Sequence, residues 1–251
     1  MSQRTFLDYE KLAIKMVVNS QAELDIRATA CKKEPWTVAF IETMRRGDVL
    51  WDIGANVGSY SLIAAARGND VVAVEPILAN FHALLANGNI NQLPGRIHAV
   101  NVALGATIQR IAFAQDGIPG HVEGGVLTLD VQQVTLDELA TTPALPQPTH
   151  IKIDVDGHEL AVLAGAERVI RDSALQAMLI ESKRSLGERI ADLLDNWGWR
   201  RTQIHERRDG KFLKNVRYEE FMRKPVSQLI PDPTTFPSAV TTTYSVAALA
   251  V

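Results

Sequence analysis

The sequence predicts an α/β fold, a mostly parallel sheet with helices on both faces and an antiparallel hairpin near its C-terminal end. Three observations carry this reading. From Pro35 to Trp197, short apolar runs that fit buried strands alternate with segments of helical apolar spacing. A glycine-rich turn, Gly54-Ala-Asn-Val-Gly58, joins one such strand to its helix, and Asp209-Gly210 separates two later β-prone runs. At 251 residues, with 46% hydrophobic and 22% charged side chains, the chain can bury one sizeable core.

Residues 1–46 read as an N-terminal extension and a lead-in helix. Ile14, Val17 and Val18 favour a strand, and residues 23–31 suit a helix. Pro35 fits a helix N1 position, with Val38, Phe40, Ile41 and Met44 on one apolar face before Gly47 stops it. Residues 47–224 then form the ligand-binding domain. Its first strand ends at Asp52, a helix follows from Ser59 to Arg67, and the second strand ends at Glu75. Leu78 to Asn87 is expected to be helical with Phe81, Leu84 and Leu85 inward, and Ile97 to Val100 to be the third strand.

Residues 101–147 exceed what a strand-helix-strand unit needs. Gln109–Ala114 and Val126–Val134 look like strands, and the Gly/Pro-rich loop 117–125 between them is a candidate substrate lid at the carboxyl edge of the sheet. Thr135-Leu-Asp-Glu138 has capping-box spacing, and prolines 143, 146 and 148 make a stiff connector. Ile151 to Asp154 is the fourth strand. Asp156 as N-cap with Glu159 at N3 would open a helix faced by Leu160, Leu163 and Ile170. Ala177 to Glu181 is the fifth strand and Leu186 to Trp197 a helix. Trp199–His205 and Phe212–Tyr218 form the hairpin. Residues 225–251 carry four prolines and no periodicity, so they read as an irregular tail. Its terminal Val240–Val251 could add a strand to a partner, leaving a homodimer open.

The turn and the acid after it bear on the ligand. Gly54, Asn56 and Gly58 let backbone approach a bound molecule, and Glu75 ends a strand where a carboxylate can take both hydroxyls of a ribose. A dinucleotide fingerprint needs glycine where Asn56 stands, so that backbone can touch a pyrophosphate. S-adenosyl-L-methionine has no phosphate. It is therefore favoured over NAD(P), and over a purely structural turn. Asp52 at the strand tip would face its methionine end, Ile77 would wall the adenine, and Asn101 would meet the adenine's amino edge.

These residues also carry a resemblance. Glu34-Pro35-Trp36, Gly47-Asp48, Asp52-Ile-Gly-Ala-Asn-Val-Gly-Ser-Tyr-Ser61, Glu75-Pro76, Thr135-Leu-Asp-Glu-Leu139 and Ile151-Lys-Ile-Asp-Val-Asp-Gly-His-Glu159 together resemble the FkbM family of S-adenosylmethionine-dependent methyltransferases. The resemblance runs from about Glu34 to Glu181. It implies a seven-stranded, Rossmann-like class I methyltransferase fold and O-methylation, commonly of a sugar or polyketide hydroxyl. It implies no particular acceptor.

Two residues are candidates for taking the acceptor's proton. Asp154 ends a buried strand and faces the crevice, and His158 sits at a helix N-terminus, whose positive end disfavours a second positive charge. A metal is not expected. The alternative is a divalent ion on Asp154 and Glu181, disfavoured by the basic Lys183 and Arg184 that follow. The expected activity is O-methyl transfer to a small-molecule or glycan acceptor. Transfer to nitrogen or carbon, or a non-catalytic cofactor-binding module, are the alternatives. Net charge is −3 with interleaved signs, which argues against a nucleic-acid partner. Cys31 is the only cysteine, so no intrachain disulfide is possible. Charges at Arg4, Asp8, Glu10, Lys11 and Lys15 interrupt any apolar leader, and no membrane-spanning run occurs, so a cytoplasmic location is expected.

Overall fold

The computed structural model describes residues 3–18, 21–114, 128–172, 174–206 and 216–225. Seven strands make the main sheet: β1 (Val49–Ile53), β2 (Asp70–Val74), β3 (Ile97–Val100), β4 (His150–Ile153), β5 (Ala177–Lys183), β6 (Trp199–Glu206) and β7 (Val216–Arg223). Their spatial order is β6-β7-β5-β4-β1-β2-β3. The five central and right-hand strands pair in parallel, and β7 runs antiparallel to both β5 and β6. This is the class I methyltransferase arrangement that the sequence predicts.

Alternation along buried strands sorts the side chains into two cores. Trp51, Ile53, Val72, Val74, Ile151, Ile153, Met178 and Ile180 face one side, where Val162, Leu163, Val169, Ile170, Ile190 and Leu194 of the covering helices meet them. On the other side Leu50, Val71, Ala73, Ala177 and Leu179 pack against Phe40, Ile41 and the run from Leu62 to Ala65. Asp52, Lys152 and Glu181 continue the second face toward the carboxyl edge. Their position on that face follows from the period of two, because Leu50, His150 and Leu179 precede them by two residues.

The N-terminal extension is part of this second core. Gln3–Phe6 and Lys15–Val18 form an antiparallel hairpin, and Leu7, Tyr9, Ile14 and Met16 are buried with the sheet. Gln21–Arg27 and Ala30–Lys33 are helices, and the Asp8 carboxylate accepts the Cys31 and Lys32 backbone N–H groups at 2.9 Å, capping the second. Between β3 and β4, Ala103–Leu104, Gln109–Ala114 and Thr128–Val134 build a separate three-stranded sheet. The loop proposed as a lid and the C-terminal tail lie outside the described residues.

Three local expectations need correction. Leu84 is buried as expected, but Leu85 is exposed, and the other buried position on the Leu78–Asn89 helix is Asn87, whose amide donates to the Val57 carbonyl while its oxygen accepts from Val17 N–H. A polar side chain there ties helix, glycine turn and N-terminal hairpin together, an outcome apolar periodicity cannot register. Asp156 does not cap a helix. It and Gly157 both have positive φ, the helix begins at Glu159, and the Glu159 carboxylate accepts the Gly157 N–H at 2.8 Å. The last strand is described over Val216–Arg223 and runs past the expected end at Tyr218, because that register buries Tyr218 and Phe221 and brings Arg217 and Arg201 onto the buried Glu219 carboxylate.

Candidate functional site

The turn after β1 has the geometry of a close approach. Gly54 (φ +83°), Asn56 (φ +52°) and Gly58 (φ +90°) are all left-handed. A Cβ at Gly54 would fall 1.9 Å from the Asp154 carbonyl oxygen, so this glycine is required for β1 and β4 to converge at their tips. The Asn56 side chain accepts the Val57 N–H at 2.9 Å.

Glu75 closes the other side of the crevice. Its carboxylate accepts the Asn56 N–H at 2.8 Å through one oxygen and the Ile77 N–H at 2.9 Å through the other. Burial raises its pKa, against the effect of those bonds. The Asn80 side-chain amide also donates to the oxygen that takes Ile77, at 3.4 Å, so the oxygen facing Asn56 is the one that keeps a lone pair for a ligand hydroxyl. Asn101 donates to the Glu75 and Pro76 carbonyls at 2.8 and 3.0 Å, clasping the segment after β2, so only its amide oxygen is free to meet an adenine.

Asp52 behaves differently from its expected role at a ligand's edge. It is wholly buried, one oxygen accepts the Ser61 hydroxyl at 2.6 Å, and the other has no hydrogen-bond partner and lies 3.6 Å from the Lys152 ammonium. Asp52 thus anchors the turn from beneath.

Lys152 organises the rest of the site. It sits beside Asp52 in the β1–β4 register and is 2% exposed. Its ammonium donates to the Asp154 carboxylate at 3.1 Å and lies 5.3 Å from the Tyr60 ring centroid. Burial opposes its charge, but Asp154, Asp52 and Glu34 outweigh that and hold its pKa above the usual lysine range. Sequence reasoning gave it no role. The signal was there: a lysine within a buried Ile-Lys-Ile-Asp strand survives only if paired.

Glu34, Asp154 and Glu181 converge around it, with ligand oxygens within 4.8 Å of one another. Glu34, just before the Pro35 helix, is buried and reaches the Lys33 ammonium at 3.0 Å. It is delivered by the N-terminal segment, which is held down by Ser59 and Tyr60 hydroxyls on the Arg27 and Ala30 carbonyls. Burial tends to raise the Asp154 carboxyl, but Lys152 overrides it and holds Asp154 below its ordinary range. Glu181 goes the other way, pushed up to about 9 by burial and then by the Asp154 and Glu34 charges. Tyr218 stands opposite Glu181 in the β5–β7 register, 1% exposed, its hydroxyl without a hydrogen-bond partner. His158 is exposed just before the Glu159–Ala164 helix and makes no capping bond.

The methyltransferase FkbM domain model matches residues 52–209. The chain is 31% identical over 134 residues to the hexuronic acid methyltransferase AglP of Haloferax volcanii, covering 52% of this chain and 55% of that protein. It is 37% identical over 159 residues to the 31-O-demethyl-FK506 methyltransferase FkbM of Streptomyces tacrolimicus, covering 49% of this chain and 61% of that protein. The chain thus matches between one half and two thirds of the length of these relatives. Among solved structures, the magnesium protoporphyrin IX methyltransferase of Synechocystis PCC 6803 superposes with a TM-score of 0.53 at 14% identity, covering 82% of this chain and 86% of that one. At that identity the likeness concerns the fold. No helix among the described residues is long and apolar enough to cross a membrane.

Proposed function

The chain belongs to the FkbM methyltransferase family, and on that premise we propose that it uses S-adenosyl-L-methionine to methylate a hydroxyl of a small-molecule, sugar or polyketide-type acceptor. The cofactor supplies a methyl group on a positively charged sulfur. Its ribose would lie on Glu75, with Ile77 against the adenine, and its methionine end along the Gly54–Gly58 backbone. That fit rests on the close approach at Gly54 and on the lone pair left on the Glu75 oxygen that faces Asn56.

The observation that carries the reaction class is the acid cluster at the strand tips beside that turn. An alcohol needs to lose its proton as the new bond forms, and Asp154, ionised and at the crevice edge, is placed to accept it. His158 is exposed and tied to nothing, which favours Asp154 over it. Lys152 already sets an ammonium against Asp154, which favours proton acceptance over a divalent ion there. The relative named for a 31-O-demethyl substrate supports oxygen as the atom methylated, and the one named for a hexuronic acid supports a sugar-type acceptor. A panel of uronic acids, sugars and polyketide alcohols, assayed with labelled cofactor before and after EDTA, tests the reading. Transfer to a hydroxyl that survives chelation is the expected result, and transfer only to nitrogen or carbon, or only with added magnesium, would overturn it.

A further inference from the structure

The acid cluster holds more negative charge than its cations neutralise. Glu34, Asp52, Asp154 and Glu181 face Lys152, and Lys33 touches only Glu34. With every carboxyl ionised, two negative charges therefore remain beside Tyr60 and Tyr218. Two buried atoms point into this excess without partners, the second Asp52 oxygen and the Tyr218 hydroxyl. Such a site attracts a cation or retains a proton.

Resting on the methyltransferase reading above, we propose that Glu181, supported by Glu34, is a charge-exchange site that gives up a proton when the cofactor's sulfonium binds and regains one when the methyl is transferred. The balance is complete within the site. The sulfur keeps the electron pair of the broken S–CH₃ bond and becomes neutral, the acceptor oxygen forms the new C–O bond, and its proton passes to Asp154 and on to Glu181. Positive charge leaves the sulfur and returns as a proton on the carboxylates. The site then holds the charged cofactor with Glu181 ionised and the neutral product with Glu181 protonated, so cofactor and product are told apart by charge.

The groups facing Glu181 support this assignment. Asp154 just after β4 and Glu34 before the Pro35 helix both disfavour its ionisation, while the Tyr218 hydroxyl on β7 and Lys152 on β4 favour it, and burial with the two acids prevails. The Glu181 carboxyl is pushed up to about 9 by burial and those acids. Around neutral pH it therefore carries the proton to be exchanged.

Calorimetry without any acceptor tests the exchange. The full chain would be titrated with S-adenosylmethionine and with S-adenosylhomocysteine from pH 6.5 to 9.5, in pairs of buffers that differ in ionisation enthalpy. Binding of S-adenosylmethionine should release close to one proton at pH 7, and its affinity should climb up to about tenfold per pH unit before levelling near pH 9. S-adenosylhomocysteine should release none and show a flat profile. In Glu181→Gln the slope for S-adenosylmethionine should vanish, and the buffer-pair result on the native chain stands even if that variant fails to fold. Parallel profiles for the two ligands would overturn the exchange while leaving the methyltransferase reading intact. Binding of neither would overturn the methyltransferase reading itself.

Discussion

The two halves of the crevice are built on opposite principles. Around β1 and β2, polar groups are matched: Glu75 takes two backbone N–H groups, Asn101 clasps two carbonyls, and Asn87 ties three segments together. In the acid cluster around Lys152, which takes in Asp52 beneath the turn, they are not: four carboxylates share one buried lysine and a second that reaches only Glu34, and the buried Tyr218 hydroxyl has no hydrogen-bond partner. Matched groups fix a shape that a ligand enters. Unmatched groups store an electrostatic demand that chemistry can satisfy, and such demand is what shifts a carboxyl into the range useful for proton transfer.

The sharpest way to break the comparison is to remove the one charge that holds the second half together. Lys152→Met should cost ~3–5 kcal/mol of stability, because it strands Asp52 and Asp154 as buried unpaired charges, and chemical denaturation would register the loss. A drop below ~1 kcal/mol would mean that the cluster is better hydrated than its burial implies. Next in size, Asp154→Asn should lower turnover by about 100-fold or more, and His158→Ala far less. Equal losses in the two would restore the histidine as an alternative base.

In the matched half, Glu75→Ala should weaken S-adenosylhomocysteine by about 2 kcal/mol or more, since a charged acceptor of a ligand hydroxyl is lost. Smaller per pH unit is a stability effect of Glu181. The folded state keeps its proton up to about pH 9 while an unfolded carboxyl has already lost it. The unfolded chain binds fewer protons, so stability falls as pH rises between the ordinary carboxylate range and 9, by about 1.4 kcal/mol per unit at most. Thermal unfolding of Glu181→Gln should lack that slope. At the bottom of the scale, Leu85→Gln should change stability by less than about 0.5 kcal/mol, because the side chain faces water.

The same division decides what was legible in the sequence. Strand-turn-helix patterns, the glycine turn and Glu75 are local, and each falls within a few residues of where periodicity and turn chemistry put it. Thr135 accepts the Glu138 N–H as its capping spacing predicts. The cluster is non-local. Glu34 and Glu181 stand far apart in the chain, and only the register of β4, β5 and β7 with the N-terminal segment unites them. Asp154 and Glu181 could be named as strand tips, but Lys152 and Tyr218 gained meaning only from what lay beside them. Where propensity erred, at Leu85, at Asp156 and at the end of the last strand, long-range polar partners or buried register override the local pattern.

The division of labour between the halves has one direct measurement. S-adenosylhomocysteine would be titrated calorimetrically into the native chain, Glu75→Ala and Asp154→Asn, with methyl transfer measured on the same preparations. The account predicts that Glu75→Ala loses at least about 30-fold in affinity, while Asp154→Asn binds within about threefold of native and fails to turn over. Loss of binding in Asp154→Asn with native binding in Glu75→Ala would contradict it.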